Sequence, residues 1–295
     1  MKKDIPLVSF KKEQSDKLDF EIYPIQDLFK KNDTLLDHSI TQPHRVNFPI
    51  IIFITKGTGQ HFIDFKSYTY KKGSIIFIAK EQIQSFEIKS TTKGFIILFT
   101  EKFIWKTVDF SNSLNYSKLF NYHSNEPILH LKKIDLEDFS NIIFNIYAEY
   151  NQSNIFAKEE ILRTLLNWLL LKSERILRKN TDPKRVKFLE KPFNEFRNLL
   201  VKTYQNTRNA KDYAQEMNIS YKHLNDICKS ILGKTAKEFI DNYLILETKR
   251  HLASSNISIK ELTFKMGFDE PTNFIKFFKK HTQQTPSQFK KLYQK

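Results

Sequence analysis

The sequence predicts an α+β chain in two parts, an antiparallel β-barrel with flanking helices followed by an all-α domain of two helix-turn-helix units. Three observations predict this fold class. Short β-branched and aromatic runs separated by turns fill residues 40–105, and apolar residues recur at helical spacing from Asp135 onward. The C-terminal part of the chain then repeats its own pattern at an offset of 49–50 residues. We expect a first domain at 1–178, a polar linker at 179–188 and a second domain at 189–295.

The β-rich part is predicted from four apolar runs: Phe48–Thr55, His61–Phe65, Ser74–Ile78 and Phe95–Phe99. Glycine-containing turns lie between them, at Gly57–Gly59 and at Lys72–Gly73. Short strands with a turn about every ten residues are typical of antiparallel barrels and jelly rolls.

The segment Ile161–Ile176 predicts a helix that is apolar nearly all round between Leu165 and Leu171. Such a helix must be covered on more than one side, by its own barrel or by a second subunit. A core helix and the seam of a homodimer are both consistent with this pattern. The residues expected at such a seam are Ile161, Leu165, Trp168 and Leu169.

The charge is concentrated at one end of the chain. The net charge is +15, of which Lys184–Lys295 contributes +11 with 22 basic and 11 acidic residues. A basic excess of this kind attracts a polyanion such as DNA, RNA or an anionic membrane. No apolar run reaches the length of a membrane span, no secretory signal follows Met1, and Cys228 is the single cysteine. We therefore expect a soluble cytoplasmic protein without a disulfide, a membrane partner or a cysteine-based zinc site.

The internal repeat defines two helix-turn-helix units at about 209–230 and 258–280. Ala214–Ile219 matches Thr263–Phe268, and Leu224, Cys228, Thr235 and Phe239 match residues 50 positions later. Asn218 and Gly267 fall at the turns, where a left-handed backbone is often required. Ser220 and Asp269 are the expected N-caps of the second helices.

The second helix of each unit is expected to bury one apolar face and to present a polar face to DNA. The buried residues are Leu224, Ile227, Cys228, Phe274, Phe277 and Phe278. Asn, Thr and Lys side chains read base edges, and Lys also pairs with phosphates. The predicted DNA-facing residues are Tyr221, Lys222, Asn225, Asp226, Lys229, Pro271, Thr272, Asn273, Lys276 and Lys280.

The segment Ile259–Phe289 closely resembles the signature of AraC-type transcription regulators, and the resemblance extends over about residues 188–293. It implies binding of double-stranded promoter DNA, contact with RNA polymerase, a homodimer, and activation of transcription rather than repression. Three positions depart from the signature: Thr263 replaces a small Ala, Gln283 replaces a Gly, and Lys290 or Lys291 stands where Arg is common. Asp226 occupies a position where some relatives carry a base-contacting Arg, which puts a direct base contact there in doubt.

The same resemblance makes the first part similar to the cupin-type sensor barrels of these regulators, on its strand pattern rather than on a motif. A small effector is then expected near His44, Phe48 and His61, although some relatives act without one.

Two other classes of function need residue patterns that differ from those of this sequence. A metal-binding or enzymatic cupin uses a His-x-His pair together with a Glu and a further His as metal ligands. Here His44 and His61 are isolated, and Gln84 occupies the stretch where a later metal ligand would be expected. Neither a nucleophile–base pair nor a phosphate-binding glycine loop is present in the sequence, so we expect neither catalysis nor a cofactor. An RNA-binding protein would need exposed aromatic platforms, whereas the C-terminal aromatics fall at buried spacing.

Overall fold

The structure is a computed structural model that describes residues 5–10, 18–32, 41–87, 91–105, 119–120, 126–153, 155–177 and 183–293; for residues 29–32, 105 and 183–187 it describes the backbone alone. The chain divides into two compact units, Pro6–Asn180 and a second one built mainly from Thr181–Lys295. The last part of the predicted linker is helical from Pro183 onward. Proline suits the first turn of a helix because its φ is already helical and its missing N–H is not needed there.

The first unit contains two five-stranded sheets. The order of the first sheet is β1-β3-β8-β5-β6, and that of the second is β10-β7-β4-β9-β2. The pairings are antiparallel except for β1 with β3. The strands are β1 (Leu7–Val8), β2 (Phe20–Pro24), β3 (His44–Val46), β4 (Ile50–Lys56), β5 (Thr58–Ile63), β6 (Lys66–Lys71), β7 (Ser74–Ile78), β8 (Ile83–Glu87), β9 (Lys93–Phe99) and β10 (Ile128–His130).

The two sheets form a sandwich rather than the closed barrel that the strand pattern predicts. Closure requires hydrogen bonding to continue from one sheet into the other with a regular stagger. The edge strands β1 and β10 are only two and three residues long, and among the described strands no ladder joins the two sheets. The predicted α+β class is confirmed, and its barrel is corrected to an open cupin-like sandwich.

The central strand β4 explains why its sequence is a continuous apolar run instead of an alternating one. Ile50, Ile52 and Ile54 belong to the apolar cluster between the two sheets. Ile51 and Phe53 point the other way, into a second cluster under the helices. Because successive side chains of a strand point to opposite faces, a strand covered on both sides must be apolar at every position.

Helix α1 (Ile25–Asn32) contributes Ile25 and Leu28 to the cluster between the sheets. The outer face of the second sheet is covered by helices α2 (Glu101–Trp105), α3 (Lys133–Asn151) and α4 (Lys158–Leu177). The buried stripe of α4 includes Leu162, Leu166, Leu169 and Leu170, which pack with Phe139, Ile143 and Ile146 of α3. Arg163 joins α4 to α2 by donating from Nε to the carbonyl of Phe103 at 2.7 Å.

The second unit is entirely helical in its described part. Its helices are α5 (Pro183–Thr203), α6 (Ala210–Glu216), α7 (Tyr221–Leu232), α8 (Ala236–Ser254), α9 (Ile259–Lys265), α10 (Pro271–Thr282) and α11 (Pro286–Tyr293). Helices α6–α7 and α9–α10 are the two helix-turn-helix units, and α8 connects them. The core of the first helix-turn-helix unit gathers Phe196 of α5, Tyr213 of α6, Leu224 of α7 and Phe239 of α8.

Candidate DNA interface and sensor site

The turns of the two helix-turn-helix units are built from the same backbone hydrogen bonds. Ile219 N–H donates to Ala214 O at 2.9 Å, and at the equivalent place Phe268 N–H donates to Thr263 O at 3.1 Å. Asn218 and Gly267 have φ values of +54° and +74°. A left-handed residue followed by these bonds is a Schellman motif, which ends the first helix and turns the chain into the second. The left-handed backbone predicted at both turns is confirmed.

Helix α7 presents the polar face expected of a reading helix. Leu224, Ile227 and Cys228 are fully buried, as the sequence predicts. Tyr221, Lys222, Asp226 and Lys229 are exposed on the other side. Ser220 is the N-cap, and its hydroxyl accepts from His223 N–H at 3.1 Å. The predicted cap is therefore confirmed, and it fixes the start of the helix.

Asn225 does not lie freely on the outward face of α7. It is half-buried, and its side-chain carbonyl accepts a hydrogen bond from the Ala236 N–H at 3.0 Å. Ala236 is the first residue of α8, where a backbone N–H has no partner within the helix. Asn225 thus ties α7 to α8, a structural role that the helical spacing could not reveal.

Helix α10 has the same organisation in the second unit. Phe274 and Phe278 are fully buried, whereas Phe277 is half-buried between Phe268 and His281. The outward residues are Thr272, Asn273, Lys276 and Lys280, all exposed, with Pro271 half-buried at the start of the helix.

The predicted N-cap of α10, Asp269, is wrong. The cap position is Glu270, whose side chain makes no capping bond, and Pro271 follows as the first helical residue. Glu270 has φ −130° and ψ 129°. Proline restricts the residue before it to this extended region, so Pro271 rather than Asp269 decides where the helix begins.

The repeat also covers the helix ends. Gly233 and Gln283 end α7 and α10 in the left-handed region, with φ values of +69° and +61°, and each N–H donates to the carbonyl four residues earlier at 2.9 Å. Thr235 then caps α8 with Glu238 in a capping box, and Thr285 bonds Gln288 in the same pattern before α11. Gln283, noted above as a departure from glycine, therefore holds a strained backbone.

The second helix-turn-helix unit is also held by the loop before the first. A Cβ atom at Gly267 would lie 2.2 Å from the carbonyl oxygen of Gln205, so no larger residue fits the present backbone there. The guanidinium carbon of Arg208 lies 3.6 Å from the centroid of the Phe268 ring, a cation–π contact. These contacts join the segment Gln205–Arg208 to the turn of the second unit.

The predicted effector residues lie in the sheet sandwich of the first unit. His61 is fully buried on β5, and His44 is buried on β3. Gln84 of β8 pairs in register with His44, and its side-chain oxygen lies 3.0 Å from His61 Nε2. Phe48 belongs to the apolar cluster between the sheets. The structure thus gathers the two histidines around Gln84, a residue that the sequence singled out only as a missing metal ligand.

The His61 ring is neutral and has one unused acceptor. Burial lowers the pKa of His61 to about 3, since a charged imidazolium would be desolvated. The hydrogen bond that the ring donates to Gln84 opposes this shift of the pKa, and the nearby His44 adds to it. With Nε2 donating to Gln84, Nδ1 carries a lone pair, and it has no hydrogen-bond partner among the described residues. A buried acceptor of this kind can accept a hydrogen bond from a donor group.

The residues predicted at a dimer seam have different surroundings on α4. Leu169 is fully buried in the core of its own unit, so its assignment to a seam is corrected. Leu165 and Trp168 are half-buried against that core, while Ile161 and Leu171, ten residues apart on the outward side of the helix, are 40% and 44% exposed. The structure therefore separates a buried stripe of this helix from an outward row of partly exposed apolar residues. The apolar composition alone could not show which residues belong to which side.

Within the described ranges, no group of three or more His, Cys, Asp or Glu side chains is placed to hold a metal ion. No helix in that part of the chain is long and apolar enough to cross a membrane.

The two units define a class of protein: a chain with a sheet sandwich and a helical domain of two helix-turn-helix units. Residues 33–166 match the family described as AraC-like ligand binding domain, and residues 213–292 match that described as helix-turn-helix domain. The chain belongs to the AraC family of DNA-binding transcription regulators. The predicted resemblance is therefore confirmed.

Several curated proteins and solved structures are similar over most of the chain. An uncharacterised HTH-type transcriptional regulator, YfiF of Bacillus subtilis, is 24% identical, covering 88% of this chain and 82% of that protein. The lactose operon transcription activator of Staphylococcus xylosus is 21% identical over 82% of this chain and 83% of its own length. ToxT of Vibrio cholerae, a solved structure, is 15% identical and covers 94% of this chain and 98% of its own, with a TM-score of 0.43.

Proposed function

We propose that this regulator binds promoter DNA by placing α7 and α10 in two successive major-groove segments, about 34 Å apart along the duplex. The observation that carries the proposal is the pair of outward rows on these helices. Lys222, Asp226 and Lys229 form one row, and Thr272, Lys276 and Lys279 form the other, all of them exposed. Both rows lie opposite a buried face, in equivalent units with matched turns.

The remaining predicted residues fit this interface unequally. Tyr221, Asn273 and Lys280 are exposed beside the two rows, and Pro271 is half-buried at the helix start, where its backbone approaches the same groove. Asn225 is a positioning residue in this proposal because its side chain is bonded to Ala236.

The test is specific DNA binding by the full chain and by Lys276→Ala. Loss of a base contact is expected to weaken specific binding by about 1–3 kcal/mol while nonspecific binding changes little. Lys202→Ala removes the same charge from an exposed position on α5 and is the matched control. Equal loss in both variants, or no loss in Lys276→Ala, would contradict the assignment of α10 as a reading helix.

The sensor proposal is that a small neutral molecule binds between the sheets and donates a hydrogen bond to His61 Nδ1. The neutral, buried ring supports it, because a carboxylate ligand would place its lone pairs against the one on Nδ1. The Staphylococcus xylosus relative is named for a lactose operon, which makes neutral sugars the first probes. We expect lactose or another neutral sugar to raise the melting temperature of the wild-type chain, whereas the sugar acid does not, and we expect His61→Phe to abolish the effect.

We further propose that the protein acts in the cytoplasm as a homodimer and activates transcription through RNA polymerase, without catalytic activity of its own. Activation is supported by the similarity to the lactose operon transcription activator of Staphylococcus xylosus. The outward row of α4, with Ile161 and Leu171, supplies the dimer contact. The effector-free and effector-bound states of the sandwich would then differ in how the helix-turn-helix units are presented to DNA. Such a difference between two states is what coupling between two sites requires.

A further inference from the structure

The centres of the two outward rows carry opposite charges. Asp226 is the sixth residue of α7 and Lys276 is the sixth residue of α10, and the two positions are equivalent in the 50-residue repeat. Asp226 lies two residues from each of the buried Leu224 and Cys228, and Lys276 lies two residues from each of Phe274 and Phe278. Two residues correspond to about 200° around a helix, so each side chain projects directly opposite the buried face.

Nothing in the fold explains either charge. Both residues are exposed, and neither takes part in the ion pairs of the described residues, although other lysines and acids of the same unit do, as Lys237 does with Asp241. Asn225, the neighbour of Asp226, is the residue of α7 that ties this helix to α8. The carboxylate of Asp226 is thus not needed for packing, and next to a phosphate backbone it would be repelled.

An acceptor at this place suits one base. A carboxylate in the major groove accepts from the cytosine N4 amino group, and a lysine donates to guanine O6 and N7. Equivalent positions of two units with the same turn geometry face equivalent points of successive groove segments, about ten base pairs apart.

We propose that Asp226 and Lys276 make the operator asymmetric: Asp226 selects a cytosine in one groove segment, and Lys276 selects a guanine about one turn away on the same strand. The inference rests on the proposed function, since it assumes that both helices enter the major groove. In this proposal Asp226 makes a base contact of its own, although it stands where some relatives carry a base-contacting Arg. The two groove segments of the operator are then expected to differ in sequence.

The experiment is selection of binding sites from random duplexes by the full chain, followed by titration of the selected duplex. The wild type is expected to enrich C·G and G·C pairs, read on one strand, about ten base pairs apart. Asp226→Lys is expected to convert the first position to G·C and to leave the second unchanged. The reciprocal Lys276→Asp should change only the second position, to C·G. Asp226→Asn, nearly identical in shape, should lower the preference for C·G at the first position by roughly 5- to 150-fold.

The outcomes separate this inference from the function on which it rests. A wild-type chain without any sequence preference would contradict the proposed function itself. A wild type with a defined operator whose base preferences are the same in Asp226→Lys and Asp226→Asn would overturn the inference and leave the function in place. Because both side chains are exposed, unchanged melting temperatures check that every variant folds.

Discussion

Replacing Gln283 by glycine is expected to stabilise the helical unit, and replacing Gly233 by alanine is expected to destabilise it. The two residues occupy the same place in the repeat, and both end the second helix of a helix-turn-helix unit at positive φ, +61° and +69°. An L-residue in the left-handed region costs about 1–2 kcal/mol, and glycine loses about 0.5–1 kcal/mol more backbone freedom on folding than other residues. The difference leaves about 0.5–1 kcal/mol in favour of glycine at either position.

Other contributions at the two sites are small. The Gln283 side chain makes one long, exposed hydrogen bond, 3.4 Å from its Nε2 to Lys280 O, which is worth little in water. A Cβ atom added at Gly233 meets nothing within 4 Å, so no clash enters the comparison. For a unit of this size the expected change in melting temperature is about 2–6 °C, upward for Gln283→Gly and downward for Gly233→Ala.

The assay uses the single cysteine of the chain. Cys228 is fully buried in α7, and burial raises the pKa of its thiol to about 12, so a thiol reagent reacts only after the helical unit opens. Pulse labelling of the full chain across a urea series then gives the free energy of unfolding of this unit. A Gln283→Gly variant no more stable than the wild type, together with a neutral Gly233→Ala, would refute the reasoning from backbone strain.

Three further predictions follow from other parts of the molecule. Gly267→Ala should lower the free energy of unfolding of the helical unit by about 2–4 kcal/mol, because the added Cβ would lie 2.2 Å from the Gln205 carbonyl oxygen. Asn218→Ala, at the equivalent turn, should lower it by less, and urea unfolding of the two variants measures the difference. The free energy of unfolding of the wild type should fall as pH drops from about 6.5 toward about 3, by up to about 1.4 kcal/mol per pH unit, because the unfolded chain binds a proton at His61 and the folded chain does not. Calorimetry of His61→Leu should show that this part of the acid sensitivity is lost. An identical pH profile for the two proteins would argue against a buried neutral ring. Leu171→Glu should shift the full chain from dimer to monomer in light scattering without loss of helix content, while Asn145→Glu, exposed on α3, should leave the dimer intact. A dimer in both variants would exclude this row.

The helical unit could be predicted from the sequence in more detail than the sheets. The repeat predicted the turns, the Ser220 cap and the buried faces of α7 and α10 except at Phe277, because helical spacing and left-handed turns are local properties. It failed at Asp269, where Pro271 sets the helix start, and at Asn225, whose partner Ala236 lies in another helix. A contact 11 residues away leaves no local pattern to read.

The sandwich was predictable only in its central strands. Ser74–Ile78 was placed correctly because every residue there is buried. The pattern did not predict β1 or β10, because their two- and three-residue ladders depend on partners far along the chain. It therefore did not predict that the two sheets have open edges. The pairing of His61 with Gln84 joins strands 23 residues apart, so the sequence offered two isolated histidines where the structure has one cluster.

The proposed function requires that both helix-turn-helix units contact base edges of the operator. Methylation protection of guanine N7 on a selected operator measures this contact, since that atom lies in the major groove. We expect two protected clusters about ten base pairs apart on one face of the duplex for each chain, with the cluster nearest α10 lost in Lys276→Ala. A single protected cluster unaffected by that substitution would mean that only one of the two units contacts the bases.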